Sequence, residues 1–132
     1  MNNLIAKVSQ IDSCDNLHIV NFICHNQTLS MMSLELESSI EINTKVKLIA
    51  KPTHIALAKG VLGDLSYSNQ LPCTIESIDN GKLLSSIKLQ FFDTSLESII
   101  TLSSSKRMQL EKGDKVVALI KASDLFISKI CD

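Results

Sequence analysis

The chain carries one segment twice. Glu41, Lys45, Val46 and Lys51 recur 70 residues later as Glu111, Lys115, Val116 and Lys121, with Thr53 answered by Ser123 and the apolar positions between them matched. Asn2, Leu4 and Ile11 recur as Asn69, Leu71 and Ile78, but 67 residues on. The three-residue difference has to be absorbed by a loop or hairpin lying between the two matched blocks. Such duplication constrains the fold more than any composition figure, because each copy must be a similar small unit. We place the first unit at residues 1–60, a linker at 61–65 and the second unit at 66–132. The connection from Lys59 to Leu65 holds two glycines, yet its apolar Val61, Leu62 and Leu65 predict a segment that packs down.

Units of this size bury a modest fraction of their surface, so two of them are expected to lean on each other or on further copies. Short strand-like runs fill both: Leu4–Ile11, Leu17–Cys24, Gln27–Leu34, Lys45–Ile49 and His54–Leu57, then Thr74–Ile78, Leu84–Phe92, Leu96–Leu102, Lys115–Lys121 and Leu125–Ser128. Several alternate polar with apolar, as Ser86 to Phe91 does, which is the period of a half-buried strand. Ser103 to Leu110 reads as a short helical turn whose serine hydroxyls can meet the free N–H groups at its start. Five strands and one short helix per repeat give an all-β fold of two tandem OB-like five-stranded barrels. With no Trp and only 4% aromatic residues, their cores must be aliphatic.

The charge balance is 13 Lys+Arg against 14 Asp+Glu, which provides no general field for nucleic acid or an anionic membrane, so any anion site must be local. OB-like barrels that bind nucleic acid interleave basic with aromatic residues, and one Tyr and four Phe do not support that use. The N-terminus lacks the basic and apolar pattern of a signal peptide, and no apolar run is long enough to span a bilayer, so a soluble cytoplasmic protein without membrane insertion is expected. In that compartment Cys14, Cys24, Cys73 and Cys131 are reduced thiols. Zinc ligation by Cys14, His18, Cys24 and His25 lacks the usual spacing, and Met31-Met32 reads as core filling, so no directly bound metal is expected. Nor can a nucleophile–base pair, paired carboxylates or a phosphate-cradling glycine loop be assembled, so the chain is read as a binding protein and not an enzyme.

Ser66-Tyr67-Ser68-Asn69-Gln70-Leu71 resembles the opening Ser-Ala-Arg-Asn-x-Leu of the Mop/TOBE molybdate-binding domains. Leu110 to Asp124 resembles their ending, Leu-x-Pro-Gly-Asp-x-Val-x-Ala-Leu-Ile-Lys-Ala-Ser-x, almost position by position. With the duplication, the whole chain is similar to the tandem (di-Mop) members of that family. The resemblance implies sites for molybdate, and usually tungstate, formed between barrels of neighbouring subunits in a homotrimer, with no catalytic cofactor. It puts Ser66, Ser68, Asn69, Thr101, Ser104, Lys121, Ala122 and Ser123 at ligand-facing positions in repeat two, and Asn2, Lys51 and Thr53 in repeat one. The chemistry agrees: a dianion leaving water needs convergent hydrogen-bond donors and preferably a fixed cation, which Lys121 would supply beside neutral hydroxyls.

Ser68 replaces the family's arginine, removing a fork-shaped cationic donor. Repeat one departs further, with Met1 in the place of Ser68, Met31 in that of Thr101, and Pro52, which has no N–H, in that of Ala122. Each candidate also has an ordinary alternative: a solvated lysine at a strand end, a turn serine, a β-prone threonine at Thr101 and a helix cap at Ser104. The expected role is intracellular storage, buffering or delivery of molybdenum. The alternative is an oxyanion-sensing module working with a transporter or regulator. Several anions per trimer would favour the first, and one weak site with a captured partner the second.

Overall fold

A computed structural model describes residues 1–60 and 63–131. Val61 and Leu62 of the expected linker lie outside the described residues, whereas Leu65 is exposed. Repeat one contributes β1 (Asn2–Cys14), β2 (Leu17–Cys24), β3 (Gln27–Ser33), β4 (Lys45–Ala50) and β5 (Ala56–Ala58). Repeat two contributes β6 (Asn69–Asn80), β7 (Leu84–Phe91), β8 (Thr94–Thr101), α1 (Leu102–Arg107), β9 (Lys115–Ile120) and β10 (Phe126–Ile130). The expected all-β architecture is present as two curled five-stranded sheets.

The sheets do not coincide with the repeats. One has the order β10-β4-β1-β2-β3 and the other β5-β9-β6-β7-β8. The last strand of each repeat therefore completes the sheet of the other: Phe126 pairs with Ile49, and Ala56 with Leu119. A 3-10 turn, Pro52–His54 or Ala122–Asp124, precedes each crossing strand. The two turns approach each other, with His54 Nδ1 and Asp124 Oδ1 3.6 Å apart. Lys59, at the end of the first crossing, donates to the carbonyls of Met108 and Gln109 and pairs with Asp114 at 3.0 Å, fixing repeat one's exit on repeat two.

Alternation produces the interior. Leu4, Ala6 and Val8 of β1 and Leu71, Cys73 and Ile75 of β6 point inward; Phe22 and its register equivalent Leu89 are fully buried in the second strands, and Phe91 stands where repeat one has Cys24. Register shifts between Val8 and Gln10 and between Ile75 and Ser77 bend the long first strand of each repeat, which curls the sheet. The turn before the fourth strand is also shared: Asn43 (φ 76) and Gly113 (φ 92) hold the same left-handed conformation and donate to the carbonyls of Val8 and Ile75. The buried apolar residues form one cluster running through both sheets.

The three-residue difference lies between the third and fourth strands. Repeat two spends it on α1, while repeat one crosses from Ser33 to Lys45 without an α-helix. The expectation of a short helix in each repeat therefore holds for repeat two only. It also moves an equivalence: Met31, facing Val20, matches Ser98, facing Ile87, so Leu34 stands at the place of Thr101 and Met31 does not.

Candidate functional site

Asn69 pairs with Ile120 at the ends of β6 and β9, so Ser68 and Lys121 follow on at adjoining strand ends, with Ser66 just before the one and the Ala122–Asp124 turn just after the other. Local chemistry explains the shape. The turn after Lys121 closes with the Asp124 N–H donating to the Lys121 carbonyl at 2.9 Å, and the N–H groups opening such a turn have no partner inside it. Ser66, Ser68, Lys121 and Ser123 are exposed and Ala122 half-buried. Among the described residues neither Lys121 nor Lys51 has a carboxylate partner, so both ammonium groups are free for an anion.

In repeat one, Asn2 pairs with Ala50, which puts Met1 against Lys51, followed by Pro52 and the exposed Thr53. The turn is kept, but Pro52 has no N–H and Met1 has no hydroxyl.

The two asparagines of this group are engaged elsewhere. Ser30 N–H donates to Asn69 Oδ1 at 2.7 Å, and Asn69 Nδ2 donates to the carbonyls of Ser30 (3.0 Å) and Ile120 (3.1 Å). Both amide hydrogens are thus used within the chain, and Asn69 is fully buried. Asn2 repeats the arrangement, accepting from Glu97 N–H at 2.6 Å and donating to the Glu97 carbonyl at 2.8 Å. Each amide acts as a short piece of strand that binds its repeat to the third strand of the other.

Thr101 and Ser104 stand apart from this cluster. Thr101 lies beside Leu84, near the end of β6 opposite to Asn69. Thr101, and not a serine, is the cap of α1: its Oγ1 accepts from Ser104 N–H at 3.1 Å and lies 3.0 Å from Ser104 Oγ. Arg107 Nη2 reaches Ser104 Oγ at 3.4 Å. Sequence reasoning passed over this residue, although it is the only arginine in the chain and stands one helical turn after Ser104. Lys82, Leu83, Leu84, Thr101, Leu102 and Lys106 line a hollow of about 590 Å³ there.

Titration is perturbed elsewhere. Burial pushes the Cys73 thiol up to about 11 and raises that of Cys24. The Ser86 hydroxyl, followed by Lys88, holds Glu97 below the ordinary carboxylate range. The Glu111 N–H, followed by Lys59, does the same for Asp114. Among the described residues no group of three His, Cys, Asp or Glu is placed to hold a metal ion, and no helix is long and apolar enough to cross a membrane.

Two fused barrels with exchanged last strands and a Lys-x-Ser/Thr turn in each define a tandem β-barrel protein of the TOBE type, and the TOBE domain matches residues 65–127. A molybdate-binding protein from Sporomusa ovata is 33% identical over 51% of this chain and 100% of its own, with a TM-score of 0.50. The chain belongs to the Mop/TOBE family, in its tandem form. The cytoplasmic molybdate-binding protein ModG, solved with molybdate bound, has the same fold with a TM-score of 0.89, covering 96% of this chain and 94% of its own at 22% identity. Comparison with curated proteins gives no match.

Proposed function

We propose that this chain binds molybdate, and tungstate with it, and serves as a cytoplasmic store, buffer or carrier of molybdenum rather than as a catalyst. The observation that carries the reading is the β6–β9 register. It ends with Asn69 opposite Ile120, so the segments Ser66–Ser68 and Lys121–Ser123, distant in sequence, leave the sheet from adjoining strand ends, and among the described residues the Lys121 ammonium has no carboxylate partner. The hydroxyls of these segments and that ammonium are the donors a tetrahedral dianion needs, and they stand at positions that resemble the family's ligand positions. Asn2 and Asn69 act as positioning residues, holding the edge in place.

Within one chain the Lys121 cluster and the Thr101–Ser104 pair lie near opposite ends of β6, so a site using both requires a neighbouring copy. A homotrimer meets that need. Arg107, resting on Ser104, would then offer a fork-shaped cation in a site whose opening lacks one at Ser68.

The test is calorimetric titration of the purified protein with molybdate, tungstate and sulfate, with mass measured in solution. Heat and thermal stabilisation with the first two anions, several ions per oligomer and a weak response to sulfate are expected. Absence of heat or thermal shift at millimolar molybdate and tungstate would overturn the reading.

A further inference from the structure

Each of the two equivalent anion edges abuts the third strand of the other repeat, and the two strands are differently charged. Beside the repeat-one opening a hollow of about 270 Å³ is lined by Met1, Asn2, Lys88, Ser95, Leu96 and Glu97. The turn Pro52–His54 packs against the same strand, where Ser98 Oγ donates to the Ile55 carbonyl at 2.6 Å. Within the hollow, Lys88 Nζ lies 3.2 Å from Glu97 Oε2, which also accepts from the Ser86 hydroxyl. In repeat two the equivalent positions are Ser68, Asn69, Asn21, Thr28, Leu29 and Ser30, none ionisable, and Ser30 Oγ donates to Asn21 Oδ1 at 2.5 Å. The Lys88–Glu97 pair thus replaces a neutral Asn21–Ser30 pair.

We propose that Glu97 holds down anion affinity at the repeat-one edge: its carboxylate occupies the ammonium of Lys88, which would otherwise attract a dianion there. The inference rests on the molybdate reading above and adds to it which residue withholds a cation from the repeat-one edge. The Lys88–Glu97 pair is net neutral, as the Asn21–Ser30 pair is, and the pairing removes most of the field that a free lysine would present to a dianion. Missing donors at Met1 and Pro52 weaken the edge as well. Glu97, however, is the one contribution that a change of charge without a change of shape can reverse.

Glu97→Gln keeps the backbone groups that Asn2 grips, so the barrels stay joined. The experiment is molybdate titration at low ionic strength of the full-length protein, of Glu97→Gln, of Lys88→Met, and of Glu41→Gln as a control. That control removes the same charge from an exposed carboxylate between β3 and β4. Glu97→Gln should tighten the weaker phase by about tenfold and leave the stronger phase in place. Lys88→Met should weaken it further, and Glu41→Gln should match wild type. Superimposable isotherms for wild type and Glu97→Gln, with molybdate bound by both, would overturn this inference and leave the molybdate reading standing. Equal tightening by Glu41→Gln would overturn it as a net-charge effect. No binding by any variant would overturn both readings together.

Discussion

Replacing Asn69 by alanine removes three hydrogen bonds at once, two to Ser30 and one to Ile120, from a residue with no solvent exposure. Each bond contributes about 1 kcal/mol net, and the deserted N–H and C=O groups keep part of their desolvation cost, so the loss should be about 3–4 kcal/mol. Asn2→Ala removes two bonds at a slightly more open position and should cost about 2 kcal/mol. At about 3–4 °C per kcal/mol for a chain of this size, the Tm should fall by about 10 °C and about 6 °C respectively. The assay is thermal unfolding followed by circular dichroism at one fixed protein concentration, because assembly would make Tm concentration-dependent. Asn69→Asp should be at least as damaging at neutral pH, since a carboxylate oxygen would face the carbonyls of Ser30 and Ile120 in place of Nδ2. If Asn69→Ala lowers Tm by less than about 2 °C and yet abolishes molybdate binding, Asn69 is a ligand and not a clamp.

Lys121→Ala should weaken molybdate binding about ten- to a hundredfold, the loss of one charged donor, and Lys51→Ala should weaken it less; equal losses in calorimetry would refute the asymmetry. In native alkylation at pH 8, Cys14 should react first and Cys73 only after unfolding, as peptide mapping would show, because Cys14 is exposed whereas burial raises the Cys73 thiol. The same shift makes the folded state lose stability as pH climbs from the unfolded thiol's value of about 8.5 towards about 11, where denaturant midpoints should fall. Glu97 and Asp114 act in the opposite sense: their lowered values stabilise the fold above about pH 4, and that contribution disappears as the pH drops through them. Fragments 1–60 and 63–132 should each fail to fold as monomers and recover sheet structure on mixing; a monomeric, cooperatively melting 1–60 would contradict the exchange of β5 and β10.

The strands were legible because their signal is local: Ser86 to Phe91 alternates whatever it pairs with, and the recurrence of Lys45 to Lys51 at Lys115 to Lys121 fixes the repeat without reference to space. Which sheet Ala56–Ala58 and Phe126–Ile130 join was not legible, since a short strand carries the same pattern beside β4 as beside β9. The Thr101 equivalence failed because two matched blocks reveal that three residues were gained but not where; only the β2–β3 and β7–β8 registers put the gain after the third strand. The resemblance puts Asn69 at a ligand-facing position, and sequence says nothing about whether its donors are already spent. The pairing of Asn69 with Ile120, which brings the two ends of repeat two together, was legible only through the resemblance, because such pairing leaves no trace in either segment alone.

The exchange of last strands separates the unit that is duplicated from the unit that folds. Once β10 lies on β4 and β5 on β9, a substitution in the tail of either half is judged by its fit to the other half's sheet. Drift in the two halves is therefore coupled through their scaffolds, while the exposed edges at Met1–Lys51 and Ser68–Lys121 remain free to diverge. Repeat one carries Met1, without a hydroxyl, and Pro52, without an N–H, where repeat two carries Ser68 and Ala122, and each half is still held in shape by a strand from the other.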